Sequence, residues 1–173
     1  MRDGTPVIIR PIRPDDEPLM VKFHSTLSDR TVYMRYFCTL SLARRTDHER
    51  LAQICSCDYV SEMVLVAERK DPNTGERSIL AVGRLNKLRQ DEMKTTNEAE
   101  AALLVADAQQ RQGLGAELLR RLLHVARDEG IHRIVAEMLR DNVAVQAVFK
   151  KFGFRLSSID GGFNEVKAVL DLV

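Results

Sequence analysis

Residues 105–115 read Val105-Ala106-Asp107-Ala108-Gln109-Gln110-Arg111-Gln112-Gly113-Leu114-Gly115, and they join two patterns of different period. Before them, Ala101–Val105 is an apolar run of strand length. After them, leucines recur every three to four residues, which is typical of an amphipathic helix. The stretch therefore predicts a strand that passes through a glycine-bearing turn into a helix. Because glycines admit a close ligand and the first amides of a helix lack intrahelical partners, we expect a phosphate group to bind there.

The spacing of the glycines excludes two common phosphate motifs. Leu118 stands where the dinucleotide fingerprint needs its third glycine, and the Gly-Lys-Ser/Thr of nucleotide hydrolases is absent. The pattern that remains is Gln110-x-x-Gly113-x-Gly115. Taken alone, it also fits an ordinary helix start behind a tight turn.

A second pattern decides between these interpretations. Asp141–Phe154 reads DNVAVQAVFKKFGF and follows a predicted strand at Ile131–Leu139. The two patterns resemble, in order and separation, the pyrophosphate motif and the C-terminal signature of the GNAT superfamily of acyl-CoA-dependent N-acyltransferases. The resemblance implies an α/β (α+β) GNAT fold: a mixed, mostly antiparallel sheet of about seven strands flanked by helices, with parallel strands four and five splayed. It also implies acetyl-CoA as cosubstrate and a single GNAT acetyltransferase domain over residues 1–173.

The rest of the chain contains the elements of that fold in order. Strands are predicted at Pro6–Ile12, Met63–Glu68, Ile79–Leu88, Glu98–Val105, Ile131–Leu139, Arg155–Ile159 and Phe163–Leu172. Helices are predicted from Asp15 or Asp16 to about Leu27, from Ser28 or Asp29 through Tyr36, over Leu42–Cys55, and after each of the two motifs. The polar stretch Gln90–Asn97 is predicted to be a loop.

Composition excludes several classes of partner. The 26 basic and 25 acidic residues nearly cancel, which argues against a general nucleic-acid partner. Three cysteines, an odd number, fit a reducing compartment, and no apolar run approaches the length of a signal peptide or a membrane span. We therefore expect a cytoplasmic protein without a membrane partner. We expect no metal site either, because Cys55 and Cys57 have no further ligand at metal-binding spacing.

The resemblance assigns the residues that would hold acetyl-CoA. In the turn, backbone amides would face the pyrophosphate and an arginine would add positive charge. Near the end of strand four, a bulge would expose strand backbone to the pantetheine and the acyl oxygen. A side chain that caps the next helix would also bond the pantetheine. These residues are Gln110, Arg111, Gln112, Gly113, Leu114 and Gly115 of the turn, Leu103, Leu104 and Val105 of the strand, and Asn142 of the following helix. For Arg111 a solvated surface role stays open, and for Asn142 a role as helix cap alone.

Phe149 is where the chain departs from the family pattern. Many members carry a tyrosine at this position, thought to protonate the departing thiolate, and phenylalanine has no proton to give. A thiol has a pKa near ~8.5, so the thiolate can leave without an acid. We therefore keep Phe149 in the cofactor site and predict catalysis without this acid.

The base that deprotonates the acceptor amine is predicted to be Glu100. It shares one face of the predicted strand with Glu98, because side chains alternate along a strand. A carboxylate in a largely apolar strand is unusual unless it is paired or functional. The alternatives are a cross-sheet ion pair of Glu100 with Arg84 or Lys87, or a base at Glu98.

Three further stretches narrow the resemblance. Thr96–Val105, Asp3–Asp16 and the pattern Tyr33-x-Arg35-Tyr36-Phe37 look like the acetyltransferase domain of Pat-type bacterial protein lysine acetyltransferases. This implies transfer of acetyl to a protein lysine, with AMP-forming acyl-CoA synthetases as partners, and a family glutamate that aligns with Glu100. An N-acyltransferase for a small amine and a non-catalytic acyl-CoA-binding regulatory module stay open as alternatives.

Overall fold

A computed structural model describes residues 1, 4–89, 95–159 and 164–172. These residues form seven strands and six helices, in the predicted order except that one predicted helix is divided in two. The strands are β1 Ile8–Pro11, β2 Glu62–Lys70, β3 Arg77–Arg89, β4 Thr95–Val105, β5 Arg133–Leu139, β6 Arg155–Ser158 and β7 Glu165–Asp171. The helices are α1 Glu17–Ser25, α2 Asp29–Tyr36, α3 Leu42–Arg45, α4 His48–Cys55, α5 Leu114–Asp128 and α6 Val143–Lys151. Short 3-10 helices precede α1 and follow β4.

All seven strands form one sheet in the order β1-β2-β3-β4-β5-β7-β6. Every neighbouring pair is antiparallel except β4 and β5, which are parallel. Their pairing joins Glu98–Glu100 to Arg133–Val135. In the described part of the chain it extends no further, so the two strands diverge toward their carboxyl ends. The predicted mixed sheet with splayed strands four and five is confirmed.

Helices cover both faces of the sheet. The leucine stripe of α5 is buried against one face, and α1, α2 and α4 lie on the other. Gly83 in β3 allows α5 to approach closely: a Cβ there would lie 3.1 Å from Leu122 Cδ1 and 3.3 Å from Leu118 Cβ. Among the described residues, no helix is long and apolar enough to cross a membrane.

Two local predictions are wrong. Leu42–Cys55 forms two helices, because Asp47 accepts a hydrogen bond from the Arg50 amide at 3.2 Å and so caps a new helix. Part of the predicted loop Gln90–Asn97 is strand, since β4 begins at Thr95 and pairs there with β3. Residues 90–94 lie outside the described residues, as does the predicted start of the last strand at Phe163.

Candidate active site

The divergence of β4 and β5 leaves the end of β4 unpaired on one side. The Ala106 amide donates to the Leu80 carbonyl at 2.9 Å, and the bonding residues of an antiparallel ladder alternate. Even-numbered residues of β4 therefore bond to β3, which directs the Leu104 amide toward Val82. The polar backbone groups of Leu103 and Val105 instead face the gap between the diverging strands β4 and β5.

The predicted bulge near the end of β4 does not occur. The register with β3 runs without a shift from the pair Val105–Ala81 to the pair Ala99–Lys87. The irregularity lies further along, between Lys87 and Arg89. Backbone groups are thus exposed in the gap by the divergence of two strands, and no extra residue is inserted.

A cleft of about 300 Å³ opens at this gap. Its lining combines α2, the two diverging strands and α6. The lining residues include Arg35, Leu103, Glu137, Asn142 and Phe149. Three of them, Leu103, Asn142 and Phe149, are residues that the sequence assigns to acetyl-CoA.

Glu100 lies at the last paired position of β4, where the strands begin to separate. The odd-numbered neighbours Ala99 and Ala101 are buried beneath α5, so the Glu100 side chain projects toward the opposite face, on which α2 lies. It is half-buried, and among the described residues its carboxylate has no hydrogen bond or ion pair. An unpaired carboxylate of this kind is able to accept a proton from a ligand in the gap.

The alternative of a cross-sheet ion pair for Glu100 is wrong. Arg84 Nε donates to Glu62 Oε1 at 2.9 Å, and Lys87 Nζ pairs with Glu129 Oε2 at 2.9 Å. Both cations of that alternative are thus bound to other carboxylates.

Glu98, the other candidate base, lies in a different environment. It is opposite Arg133 in the paired part of the two strands, and Arg133 Nη1 lies 3.3 Å from its Oε1. The Glu98 carboxylate is therefore already bound to a cation of the neighbouring strand. The two glutamates are therefore distinguished by their surroundings: one is paired away from the gap and the other is unpaired beside it.

Two charged cleft residues are not among those that the sequence assigns to acetyl-CoA or to the base. The Arg35 guanidinium lies 5.1 Å from the centroid of the Tyr36 ring, and burial lowers the pKa of Arg35. Glu137 of β5 is exposed and shares the face of Glu100, since it follows Val135 by two positions. Its position as the one charged residue within the apolar run Ile134–Leu139 is a signal that could have revealed it.

The turn after β4 has the backbone that an anion site requires. Gly113 is the N-terminal flanking residue of α5 with a φ of 90°, a conformation that favours glycine, and Arg111 beside it is exposed with a φ of 63°. The Glu117 amide donates to the Gly113 carbonyl at 3.0 Å, which makes it the first intrahelical bond of α5. The preceding amides, among them those of Leu114 and Gly115, are left for a ligand at the positive end of the helix dipole.

Gln110 lies in the same turn, but its side chain is bonded within the protein. Its Nε2 donates to Thr31 Oγ1 at 3.1 Å and to the Val105 carbonyl at 3.3 Å. The Gln110 side chain therefore links the turn to α2. The amide of Gln112, two residues further along the chain, lies next to the start of α5.

Asp107 strengthens this link between the turn and α2. Its carboxylate accepts hydrogen bonds from the Ser28 amide at 2.9 Å, the Ser28 hydroxyl at 2.6 Å and the Thr31 hydroxyl at 2.8 Å. Burial alone would raise the pKa of Asp107, but these bonds outweigh it and lower that pKa. Helix α2, which lines the cleft, is thus attached to the turn that is predicted to bind pyrophosphate.

The α6 side of the cleft holds Asn142 and Phe149. Asn142 Oδ1 accepts from the Val145 amide at 3.4 Å, so the predicted cap is observed, and Asn142 also lines the cleft. Phe149 is only 1% exposed and packs edge to face on Phe154, with ring centroids 4.8 Å apart. Its ring forms an apolar wall where many relatives would present a hydroxyl group.

Splayed parallel strands that lead into a glycine turn at a helix start define a class of protein, the acyl-CoA-dependent acyltransferases that the sequence resembles. A family model described as an acetyltransferase (GNAT) domain matches residues 7–155. The chain belongs to the GNAT acetyltransferase family, whose acetyl donor is acetyl-CoA, in agreement with the predicted cosubstrate.

Three similar proteins illustrate the match. Acetyltransferase PA5475 of Pseudomonas aeruginosa is 29% identical over 152 residues, which cover 88% of this chain and 76% of that protein. The crystal structure of the GNAT domain of S. lividans PAT has a TM-score of 0.83 and 30% identity, covering 99% of this chain and 93% of that one. The structure of yncA from Salmonella typhimurium with its cofactor acetyl-CoA has a TM-score of 0.71 and 21% identity, covering 98% of this chain and 95% of that one. At this identity the similarity indicates a shared fold and no more.

Proposed function

We propose that this acetyltransferase transfers the acetyl group of acetyl-CoA to the ε-amine of a protein lysine, and that its protein substrates are acyl-CoA synthetases of the AMP-forming type. Support comes from the Pat-type sequence resemblance and from the 30% identity to the GNAT domain of S. lividans PAT. We further propose that residues 1–173 act as a single GNAT domain.

The observation that carries the chemistry is the unpaired Glu100 carboxylate beside the gap between β4 and β5. A lysine amine has an ordinary pKa near ~10.4, so at neutral pH it must lose a proton before it can attack a thioester. In this proposal Glu100 accepts that proton, directly or through one water molecule.

The remaining steps use backbone and helix geometry. The amides of Leu103 or Val105, which face the gap, stabilise the negative charge that develops on the thioester oxygen. The amine nitrogen forms a bond to the carbonyl carbon, the carbon–sulfur bond breaks, and the electron pair leaves with the thiolate. The proton that Glu100 took from the ammonium group passes to solvent. The second proton on the attacking nitrogen passes to the departing thiolate, directly or through water, so that an amide and a free thiol result and Phe149 needs no acidic role.

The turn supplies the grip on the donor. In this proposal the amides of Gln112, Gly113, Leu114 and Gly115 bond the pyrophosphate, Arg111 adds positive charge beside it, and Asn142 bonds the pantetheine in addition to capping α6. The Gln110 side chain, bonded to Thr31, acts by holding this turn against α2. Two assigned positions therefore change their role in the proposed site: the amide of Leu104 faces β3, and the Gln110 side chain positions the turn.

A matched pair of variants tests the base. Glu100→Gln should keep its affinity for acetyl-CoA and lose roughly 10²- to 10⁴-fold in kcat, because it keeps the size of the side chain and removes the proton acceptor. Glu98→Gln is the control and should lose far less, since its ion pair with Arg133 lies away from the gap. A dead Glu98→Gln beside a near-normal Glu100→Gln would show that the base is misplaced.

The substrate class is tested separately. Labelled acetyl-CoA and the wild-type protein are incubated with a whole-cell lysate and with a purified AMP-forming acyl-CoA synthetase, and labelled lysines are identified by mass spectrometry. Label on small amines but on no protein would favour the small-molecule alternative. Tight acetyl-CoA binding with no transfer to any acceptor would favour a regulatory module.

A further inference from the structure

The feature that the proposed chemistry leaves unexplained is the guanidinium of Arg35. It lines the cleft from α2, is half-buried, and has no hydrogen bond or ion pair among the residues that the structure describes. Taking a guanidinium out of water is costly unless an anion compensates it. Burial lowers the pKa of Arg35, which is the direction expected for an uncompensated cation.

The groups around Arg35 add positive charge. Arg50 of α4 lies on the same Tyr36 ring at 5.1 Å, the same distance as Arg35, and its Nε is buried without a described partner. Arg84 of β3 also repels Arg35, although its own charge is offset by Glu62. The arginines at this end of the cleft therefore outnumber the acids that bind them.

The acidic groups lie on the strands. Glu137 of β5 lines the cleft, and Glu100 of β4, next to the lining residue Ala101, attracts Arg35 but forms no ion pair with it. The cleft thus has a carboxylate side formed by the strands and a guanidinium side formed by α2. A ligand complementary to this arrangement carries a cation and an anion close together.

We infer that Arg35 is a specificity-determining residue that binds a carboxylate of the acceptor, so that the preferred acceptor is an amine with a carboxylate close by. For the protein substrate proposed above, on which this inference rests, that means a lysine flanked by an aspartate or glutamate. The amine approaches Glu100 while the flanking carboxylate pairs with Arg35, which would otherwise repel an incoming ammonium group. A guanidinium can hold a carboxylate through two parallel hydrogen bonds, which makes the contact selective.

The test compares acceptors that differ only in this carboxylate. Peptides with a single lysine carry Asp, Asn or Arg at one flanking position at a time, from two residues before the lysine to two after it. Nα-acetyl-lysine and its methyl amide form a second pair without a peptide. Values of kcat/KM are measured for wild type, Arg35→Gln, Arg35→Glu and the control Arg30→Gln, which removes an exposed arginine from the same helix.

Wild type should favour the best Asp peptide over its Asn counterpart by roughly 10- to 100-fold, the usual worth of a charge-assisted hydrogen bond. Arg35→Gln should bring this ratio close to one, and Arg35→Glu should favour the Arg peptide instead. Arg30→Gln should keep the wild-type ratio. Arg35→Lys should restore part of the preference, and thermal unfolding checks that each variant is folded.

The outcomes separate this inference from the proposed function. Equal rates for Asp and Asn peptides in wild type, or a preference that survives in Arg35→Gln, would overturn the role of Arg35 while leaving a lysine acetyltransferase. If no peptide is acetylated but Nα-acetyl-lysine is preferred over its amide in an Arg35-dependent way, the carboxylate site stands and the protein substrate falls. If none of these acceptors is acetylated, both proposals fail.

Discussion

His24 gives the sharpest prediction about stability. Its side chain lies in α1, is 1% exposed, and within the described part of the chain neither ring nitrogen has a hydrogen-bond partner. Burial, together with the nearby charges of Arg50 and Arg45, lowers the pKa of His24 to about 4 from an ordinary value of 6.5. The ring is therefore neutral in the folded protein at neutral pH.

The sign of the effect follows from the order in which the two states bind the proton. As pH falls, the unfolded chain protonates His24 near 6.5, while the folded protein resists until about pH 4. The stability contributed by the neutral ring is complete above about pH 6.5, declines below it, and is lost by about pH 4. Each pKa unit is worth about 1.4 kcal/mol, so this interval corresponds to about 3 kcal/mol of unfolding free energy.

The variant His24→Leu replaces the ring with a side chain of similar volume that does not titrate. Unfolding free energies are measured by urea titration at half-unit steps from pH 7.5 to 4, for wild type, His24→Leu and the control His124→Gln. His124 is exposed on α5, so its replacement shows how much of any change comes from removing a surface histidine. Wild type should lose about 3 kcal/mol more than His24→Leu between pH 7 and pH 4.

At pH 7 His24→Leu should be as stable as wild type or more stable, because two unsatisfied ring nitrogens are removed from the interior. Parallel profiles for wild type and His24→Leu over the whole pH range would contradict this prediction. They would mean that the folded protein binds the His24 proton as readily as the unfolded chain does.

Two further predictions concern the acetyl-CoA site. Gly113→Asp should abolish acetyl-CoA binding in calorimetric titration, because it places a carboxylate at the helix start proposed for pyrophosphate. Gly130→Asp is the control for backbone strain, since Gly130 also has a positive φ but lies at the other end of α5. Unchanged affinity in Gly113→Asp would mean that the pyrophosphate binds elsewhere. Phe149→Tyr should change kcat less than tenfold in either direction, because a thiolate leaves without an acid; a much larger gain in steady-state turnover would show that protonation of the leaving group limits the reaction.

Local features determined the parts of the molecule that could be predicted from the sequence. The period of the leucines marks the buried stripe of α5, the glycine at 113 marks a positive φ before that helix, and Asn142 marks the start of α6. Each depends on residues a few positions apart, so the chain alone contains the information. The same reasoning fails for Leu42–Cys55, where one aspartate at position 47 interrupts a helical pattern and caps a second helix.

The charges of the site were decided only by the tertiary structure. Whether Glu100 is paired depends on where Arg84 and Lys87 find other carboxylates, and those partners, Glu62 and Glu129, lie 22 and 42 residues away. Gln110 likewise bonds Thr31, 79 residues before it. Such pairings depend on strand register and helix placement, which no local pattern contains.

The gap between β4 and β5 also depends on the tertiary structure. The sequence determined that a strand runs into a glycine turn and that a second strand and helix follow, and this was enough to identify the family. The packing of separate elements decides the rest. It separates β4 from β5 after Glu100, exposes backbone groups of Leu103 and Val105 without a bulge, and places Arg35 of α2 at this gap. Periodicity and caps act over one helical turn, whereas the position of a charge relative to a cleft is set by contacts between residues far apart in the chain.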